Sequence, residues 1–225
     1  MLKTQKKRKR KILWKRVAVL CLALALLILV AAKGFSMLFG SDTDRRIDNF
    51  LPFERHISVS KLKGVQIPDW VDVRLLDPNG AARSGEELKK VNGIVIHYVG
   101  NPGTTAEANR NYFNMSDTEV CSHFVVGLDG EIIQCLPLYE KSAASNNRNG
   151  DTISIEVCHP DDGGKFGAKT YAALVKLASW LCDTCGFKNE DCILRHYDIT
   201  GKLCPIYYVE HEDAWRKLQK DILGA

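Results

Sequence analysis

The stretch Ile94-Val95-Ile96-His97-Tyr98, with Gly93 before it and Gly100 after it, decides the fold of this chain. Because these β-branched and aromatic residues are bounded by glycines, they predict a buried strand. Thr152–Cys158 alternates and is also β-branched, so it predicts a second strand. Each strand carries a polar side chain, His97 in the first and Glu156 in the second. A buried carboxylate is costly without a task or a partner, so Glu156 marks a candidate site.

Helices and a hairpin accompany these strands. The predicted helices run from Thr104 or Thr105 to about Asn114, from Lys169 to about Cys185, and around Glu212–Leu223. Ser122–Gly127 and Glu131–Leu136 flank an Asp-Gly turn, which predicts a β-hairpin. Strands interleaved with helices predict an α/β fold with a mixed central β-sheet that is flanked by helices.

The charge of the chain is unevenly distributed. Its 225 residues include 31 Lys+Arg and 27 Asp+Glu, a net charge of +4. Residues 1–16 hold nine of the basic side chains and no acidic one, so residues 17–225 keep 22 basic and 27 acidic side chains, a net charge of −5. A basic folded domain would indicate nucleic-acid binding. Here the basic charge belongs to a tail, so we expect no nucleic-acid partner.

An apolar stretch at residues 17–39 follows this basic tail. Its first part, Val17–Ala32, has no charged residue. As a helix, residues 17–39 would be roughly 34 Å long, against about 30 Å of bilayer hydrocarbon. We interpret the stretch as one N-terminal transmembrane helix, with a signal peptide cleaved near Val30-Ala31-Ala32 as the alternative. Both interpretations keep residues 1–16 in the cytoplasm and export everything after about residue 40. We therefore expect a single-pass protein of the cell membrane with an extracytoplasmic domain, or a secreted protein after cleavage.

The remaining chain divides into a spacer and a folded domain. Residues 40–70 begin with a polar segment of mixed charge and continue with scattered apolar residues, so we assign them to the spacer. Residues 71–225 contain the predicted strands and helices and are numerous enough to bury a core.

A candidate metal site combines His97 with His196 and Cys204 from the segment RHYDITGKLCP. Imidazole and thiolate are ligands that Zn²⁺ prefers, and three protein ligands leave a fourth position open. Taken singly, a strand histidine or a buried cysteine is more often structural. Lys202, two residues before Cys204, and Glu156 weaken that interpretation, because a cation and a carboxylate are useful to a hydrolytic site.

Five motifs in this order resemble those of the zinc-dependent N-acetylmuramoyl-L-alanine amidases, which share the fold of the peptidoglycan recognition proteins. The resemblance covers about Arg74 to Ile222. The motifs are IVIHYVG at 94–100, SHFVV at 122–126, ISIEV at 153–157, RHYD at 195–198 and GKLCP at 201–205.

The resemblance implies a role for each matching residue. His97, His196 and Cys204 correspond to the metal ligands, Glu156 to the general base and Lys202 to the cation that stabilises an oxyanion. Another branch of the family uses a tyrosine as the base, at the position of Ser122 in this sequence. The implied reaction is hydrolysis of the amide bond between N-acetylmuramic acid and L-alanine of peptidoglycan, by zinc-activated water. The implied alternative is a domain of the same fold that binds peptidoglycan without cleaving it.

Four other residues are candidate substrate contacts: His123, Tyr98, Asn147 and Arg148. His123 could equally be structural support, Tyr98 could be packing, and the loop that holds Asn147 and Arg148 could be an ordinary polar loop. We also expect a monomeric catalytic domain.

Cysteines outside the candidate metal site have no assigned role. A disulfide from Cys182 or Cys185 to Cys192 is plausible in an exported protein. Free thiols would instead indicate an anaerobic setting.

Overall fold

A computed structural model of the protein describes residues 57–78 and 80–225. The predicted basic tail at 1–16, the predicted transmembrane helix at 17–39 and most of the predicted spacer lie outside the described residues. Within the described part of the chain, no helix has the length and apolar character needed to cross a membrane.

A six-stranded mixed sheet forms the centre of the fold, as the sequence predicts. Its strands are β1 (Asp72–Val73), β2 (Ile94–Tyr98), β3 (Phe124–Val126), β4 (Ile132–Gln134), β5 (Ile153–Val157) and β6 (Ile193–Arg195). They lie in the order β1-β4-β3-β5-β2-β6 across the sheet. Neighbouring strands are parallel except in the predicted hairpin of β3 and β4, which is antiparallel.

Helices cover the sheet. They are α1 (Val59–Leu62), α2 (Ala106–Phe113), α3 (Ala168–Cys185), α4 (His196–Thr200), α5 (Ile206–Glu210) and α6 (Glu212–Gly224). The three longest, α2, α3 and α6, are the predicted helices. Thr105 begins α2 as its N-cap, because its hydroxyl accepts a hydrogen bond from the backbone N–H of Ala108.

Two apolar layers lie on opposite faces of the sheet. Alternate residues of β2 and β5, such as Ile96 and Ile155, pack with α3 and α6 in the larger layer. Residues of the opposite parity in β3 and β4, such as Val125 and Ile133, pack with the first and last residues of α2 in the smaller layer. The period of two along each strand therefore sends its side chains to different layers.

The folded unit includes residues 57–70, which the sequence analysis assigns to the spacer. Leu62 at the end of α1 is buried in the larger layer, and Ile57, Val65, Ile67 and Trp70 pack against it. The sequence does not indicate that these residues are buried, because they are irregularly spaced and only Leu62 among them lies in a helix.

Candidate metal centre and cleft

His97, His196 and Cys204, the three candidate metal ligands, come together at one edge of the sheet. Their ligand atoms all lie within 4.8 Å of one another. The Cys204 Sγ is 3.8 Å from His97 Nδ1, and the centroids of the two imidazole rings are 4.7 Å apart. All three residues are buried. The three side chains are therefore close enough to share one ion.

Strand register explains why His97 and Glu156 share a face. The two residues are direct partners in the parallel pair of β2 and β5. In-register partners on neighbouring strands point to the same side of the sheet. The Oε1 of Glu156 is consequently 4.0 Å from Nδ1 of His97, although 59 positions separate them in the chain.

His196 is held at the start of α4, directly after strand β6. The Asp198 carboxylate accepts hydrogen bonds from the backbone N–H and the guanidinium of Arg195. The same guanidinium also donates to the Tyr208 backbone carbonyl and to Glu212. This network fixes the first turn of α4 and with it the position of the His196 ring. The backbone carbonyl of Cys204 accepts from Tyr197 N–H at 3.0 Å, which joins the third ligand to the same turn.

Burial keeps the candidate ligands uncharged in the absence of an ion. It lowers the pKa of His97 well below the usual value, and His196 and Lys202 add to the effect. Burial and Lys202 lower the pKa of His196 as well. Burial raises the pKa of the Cys204 thiol to about 12. Neutral imidazole is the form that binds metals, and a bound cation favours the thiolate.

Glu156 is a carboxyl group in an environment that disfavours its charge. Burial raises its pKa to about 8, against the opposing charge of Lys202. Its Oε2 atom is buried and has no hydrogen-bond partner among the described residues. Lys202 is exposed and lines the same cleft. A carboxyl group and an ammonium group therefore lie beside the three candidate ligands.

The donor set fits zinc. Two imidazoles and one thiolate are borderline to soft ligands, which Zn²⁺ prefers and which Mg²⁺ and Ca²⁺ avoid. The unpartnered Oε2 of Glu156 beside His97 leaves an acceptor free for a proton-bearing ligand. Structural zinc sites usually have four protein ligands. The described residues supply three here, which is typical of a catalytic site.

A cleft of about 1360 Å³ opens onto this centre. His97, Glu156, His196, Lys202 and Cys204 form one end. The other walls come from the loop after β2, from α2, from the segment before β3 and from the loop after β4, and they include Asn101, Asn109, Tyr112, Glu119, Val120 and Asn149. The cleft is large enough for a glycopeptide rather than only a small ion or metabolite.

The structure separates two of the candidate substrate contacts. Tyr98 lines the cleft and packs its ring on His159 at 4.9 Å between centroids. His123 is fully buried and does not line the cleft. Its Nδ1 accepts from the Ser154 backbone N–H, and its Nε2 lies 2.8 Å from the Glu140 backbone oxygen. The position of His123 favours structural support, one of the two roles that the sequence leaves open.

The polar loop before β5 reaches the cleft, but not through the two residues that the sequence analysis names. Asn147 and Arg148 do not line the cleft, and Arg148 pairs with Asp151. Their neighbours Asn146 and Asn149 line it instead. The sequence marks this loop as polar, but it does not indicate which of its side chains face the site.

Two further features concern individual side chains. Ser122, at the position where another branch of the family has its tyrosine base, is buried and donates to the Phe124 backbone carbonyl. It therefore has a structural hydrogen bond rather than access to the cleft. Cys182 and Cys185 are free thiols, so neither candidate disulfide to Cys192 is formed in this structure.

The fold and site define an α/β protein with a three-ligand metal centre at the edge of a mixed sheet. Residues 87–206 match the family model described as N-acetylmuramoyl-L-alanine amidase. This match spans more than half of the chain and includes all three candidate ligands. The chain belongs to that family.

Bacterial relatives have the same family description. The chain is 31% identical to N-acetylmuramoyl-L-alanine amidase BlyA of Bacillus subtilis, over 59% of this chain and 41% of the relative. It is 32% identical to a probable N-acetylmuramoyl-L-alanine amidase of Bacillus licheniformis, over 63% of this chain and 45% of the relative. The chain thus spans less than half the length of these relatives.

Solved structures support the same fold. The catalytic domain of XlyA is 25% identical with a TM-score of 0.57, over 68% of this chain and 98% of that domain. A mutant endolysin from Bacillus subtilis is 27% identical with a TM-score of 0.58, over 68% of this chain and 97% of the endolysin. In both comparisons the likeness covers nearly the whole of the solved chain.

Proposed function

We propose that this protein is a peptidoglycan hydrolase that cleaves the amide bond between N-acetylmuramic acid and L-alanine of the stem peptide. The single observation that carries the proposal is the group of His97, His196 and Cys204 beside Glu156 at the end of a large cleft. The family match and the relatives' names supply the identity of the bond. Peptidoglycan is accordingly the proposed partner.

Zinc is the proposed cofactor, with His97, His196 and Cys204 as its ligands. When bound, zinc supplies a Lewis acid that polarises a carbonyl group and acidifies water. The remaining roles belong to side chains of this chain.

Glu156 is the proposed general base and acid. Burial raises the pKa of its carboxyl group to about 8, so near neutral pH the carboxylate and the carboxylic acid differ little in free energy, and the group can exchange a proton in either direction. It removes a proton from the water that attacks the amide carbonyl. It then delivers that proton to the leaving nitrogen of L-alanine, which returns Glu156 to its starting carboxylate form.

Lys202 is the proposed electrostatic partner of the reaction. Its ammonium group lines the cleft close enough to influence the pKa of Glu156, His97 and His196. A fixed cation stabilises the negative charge that develops on the amide oxygen. Tyr98 lines the same region and stays a candidate substrate contact.

Substitution of Glu156 tests this assignment. Glu156→Gln keeps the size of the side chain and removes the proton acceptor. We expect stem-peptide release from purified peptidoglycan to fall by about 10²–10⁴-fold, with zinc content unchanged. Glu86→Gln, at an exposed carboxylate outside the cleft, is the matched control. Equal activity of Glu156→Gln and Glu86→Gln would contradict the role of Glu156.

We propose further that residues 17–39 anchor the protein in the cell membrane, with the hydrolase domain outside the cytoplasm. The support is the sequence alone: an apolar stretch of membrane-spanning length after nine basic residues. Fractionation of the producing cells tests this proposal. The full chain should stay in the membrane fraction after an alkaline wash, and a chain without residues 1–40 should not. Release of both chains by the wash would contradict anchoring.

A further inference from the structure

Consecutive residues of one short turn contact both candidate histidine ligands. The Oγ of Ser145 is 3.1 Å from Nε2 of His97, and the hydrogen bond between them is buried. The Oδ1 of Asn146 is 2.8 Å from Nε2 of His196. Each contact is made to the ring nitrogen Nε2, and the Nδ1 of His97 faces Cys204 and Glu156. One turn thus contacts the Nε2 side of two rings, one on strand β2 and the other at the start of α4.

The turn itself is firmly held. The side-chain oxygen of Asn149 accepts hydrogen bonds from the backbone N–H groups of Ala144 and Ser145, at 3.1 and 2.6 Å. The backbone N–H of Asn149 donates to the Asn146 carbonyl, which closes the turn. The Thr152 hydroxyl donates to the Arg148 carbonyl and ties the turn to β5. These bonds hold the backbone that carries Ser145 and Asn146.

Asn146 adopts an unusual backbone conformation. It is the one residue other than glycine with a positive φ among the described residues, at 52°. Glycine adopts this region most easily, and asparagine is among the few other residues that tolerate it. Residues held in such regions cluster at functional sites. A glycine at position 146 could adopt the same positive φ. Only a side chain such as that of asparagine also places a hydrogen-bond acceptor against His196.

The contact of Asn146 favours one tautomer of His196. The amide oxygen that faces Nε2 only accepts hydrogen bonds, so this arrangement favours the tautomer in which Nε2 carries the proton. The lone pair of the neutral ring is then on Nδ1. Because a metal binds the nitrogen that carries the lone pair, the partner of the other nitrogen selects the ligating atom.

We propose that Ser145 and Asn146 are positioning residues of the metal centre. They hold the Nε2 atoms of His97 and His196, and so present both rings to the ion through Nδ1. This inference rests on the proposed zinc site and extends it. Neither residue touches the substrate in this account, and both act through the histidines.

Three variants separate the acceptor of Asn146 from its backbone conformation. Asn146→Gly keeps the positive φ and removes the acceptor. Asn146→Asp restores an acceptor oxygen at the same place. Asn147→Gly, at the exposed neighbouring residue, controls for the flexibility that any glycine adds to the turn. Ser145→Ala is the corresponding test for His97.

Two measurements on the full chain report the effect. The first is the zinc dissociation constant, from competition with a chromogenic chelator at fixed pH. The second is the tautomer of His196 in the metal-free protein, from long-range ¹⁵N–¹H NMR correlations, which does not depend on zinc or on activity. We expect Asn146→Gly and Ser145→Ala to weaken zinc binding by about 10- to 100-fold. We also expect Asn146→Gly to convert the single Nε2–H tautomer of His196 to a mixture.

The variants should give different results according to whether Asn146 positions His196. Retention of tight zinc binding and of the Nε2–H tautomer by Asn146→Asp and Asn147→Gly would support the inference. Wild-type zinc affinity and tautomer in Asn146→Gly would overturn it, as would an equal loss in Asn147→Gly. If the wild-type chain itself bound no zinc, the proposed metal site would fail, while the tautomer measurement would still test the role of Asn146.

Discussion

Replacement of His123 by glutamine is expected to make the stability of the folded domain less sensitive to acid. Burial lowers the pKa of His123 from 6.5 to about 4, even though the Glu140 backbone carbonyl and carboxylate act in the opposite direction. The neutral ring uses Nδ1 as an acceptor for the Ser154 N–H. A protonated ring would place a second N–H donor against that group, so the charged form is disfavoured.

The sign and size of the effect follow from the difference between the folded and unfolded states. Below pH 6.5 the unfolded chain binds a proton at His123 that the folded chain does not bind until about pH 4. The folded state therefore loses stability as the pH falls through this range. At 1.36 kcal/mol per pH unit, the interval between 6.5 and about 4 corresponds to about 3 kcal/mol.

Urea unfolding at several pH values between 7.5 and 4.5 measures this loss. The fall in the free energy of unfolding should be larger for the wild-type chain than for His123→Gln, and most of the difference of about 3 kcal/mol should appear by pH 4.5. Because both chains keep all other titratable groups, their difference isolates His123. NMR titration of the His123 ring in the wild-type chain is a second measurement that needs no variant. Parallel stability curves, or a ring that titrates near pH 6.5, would refute the reasoning.

Two further substitutions test the local structure. Gly164→Ala should lower the free energy of unfolding by at least about 1 kcal/mol, because φ is +69° and the added Cβ would lie 2.6 Å from Cγ2 of Ile206. Gly150→Ala, which has open space around it, is the control, and equal stability of the two variants in thermal unfolding would contradict the expected strain. Thr105→Ala should cost about 1 kcal/mol through loss of the N-cap hydrogen bond of α2. Urea unfolding measures the effect of Thr105→Ala, and an unchanged midpoint would exclude a stabilising contribution of the N-cap hydrogen bond.

The sequence predicts those strands and helices that have a recognisable pattern within their own residues. The strand at Ile94–Tyr98 is a β-branched run between glycines, and the helix at Ala168–Cys185 is long and periodic. The structure contains both within a residue or two of the predicted limits. Strand β6 at Ile193–Arg195 is not predicted, because its three residues are too few to establish a period. It is identified only by its pairing with β2, which depends on tertiary structure.

The sequence likewise indicates some residues of the candidate site and not others. His97, Glu156, His196, Lys202 and Cys204 lie in distinctive motifs, and the structure brings them to one end of the cleft. Ser145 and Asn146 lie in an ordinary polar loop, and their roles depend on which ring atoms face them. The motif that contains His123 does not indicate that this side chain is buried. The roles of Ser145, Asn146 and His123 depend on contacts between residues that are far apart in the chain, so no local sequence pattern indicates them.

The most direct test of the central claim is mass spectrometry of purified peptidoglycan digested by the full chain. Digestion is compared as prepared, after zinc is removed with a chelator, and after zinc is restored. The account predicts free stem peptides with an L-alanine amino terminus, lost on chelation and recovered with zinc. Intact muropeptides from folded, zinc-loaded protein that still binds the wall would contradict it and would instead indicate a peptidoglycan-binding module.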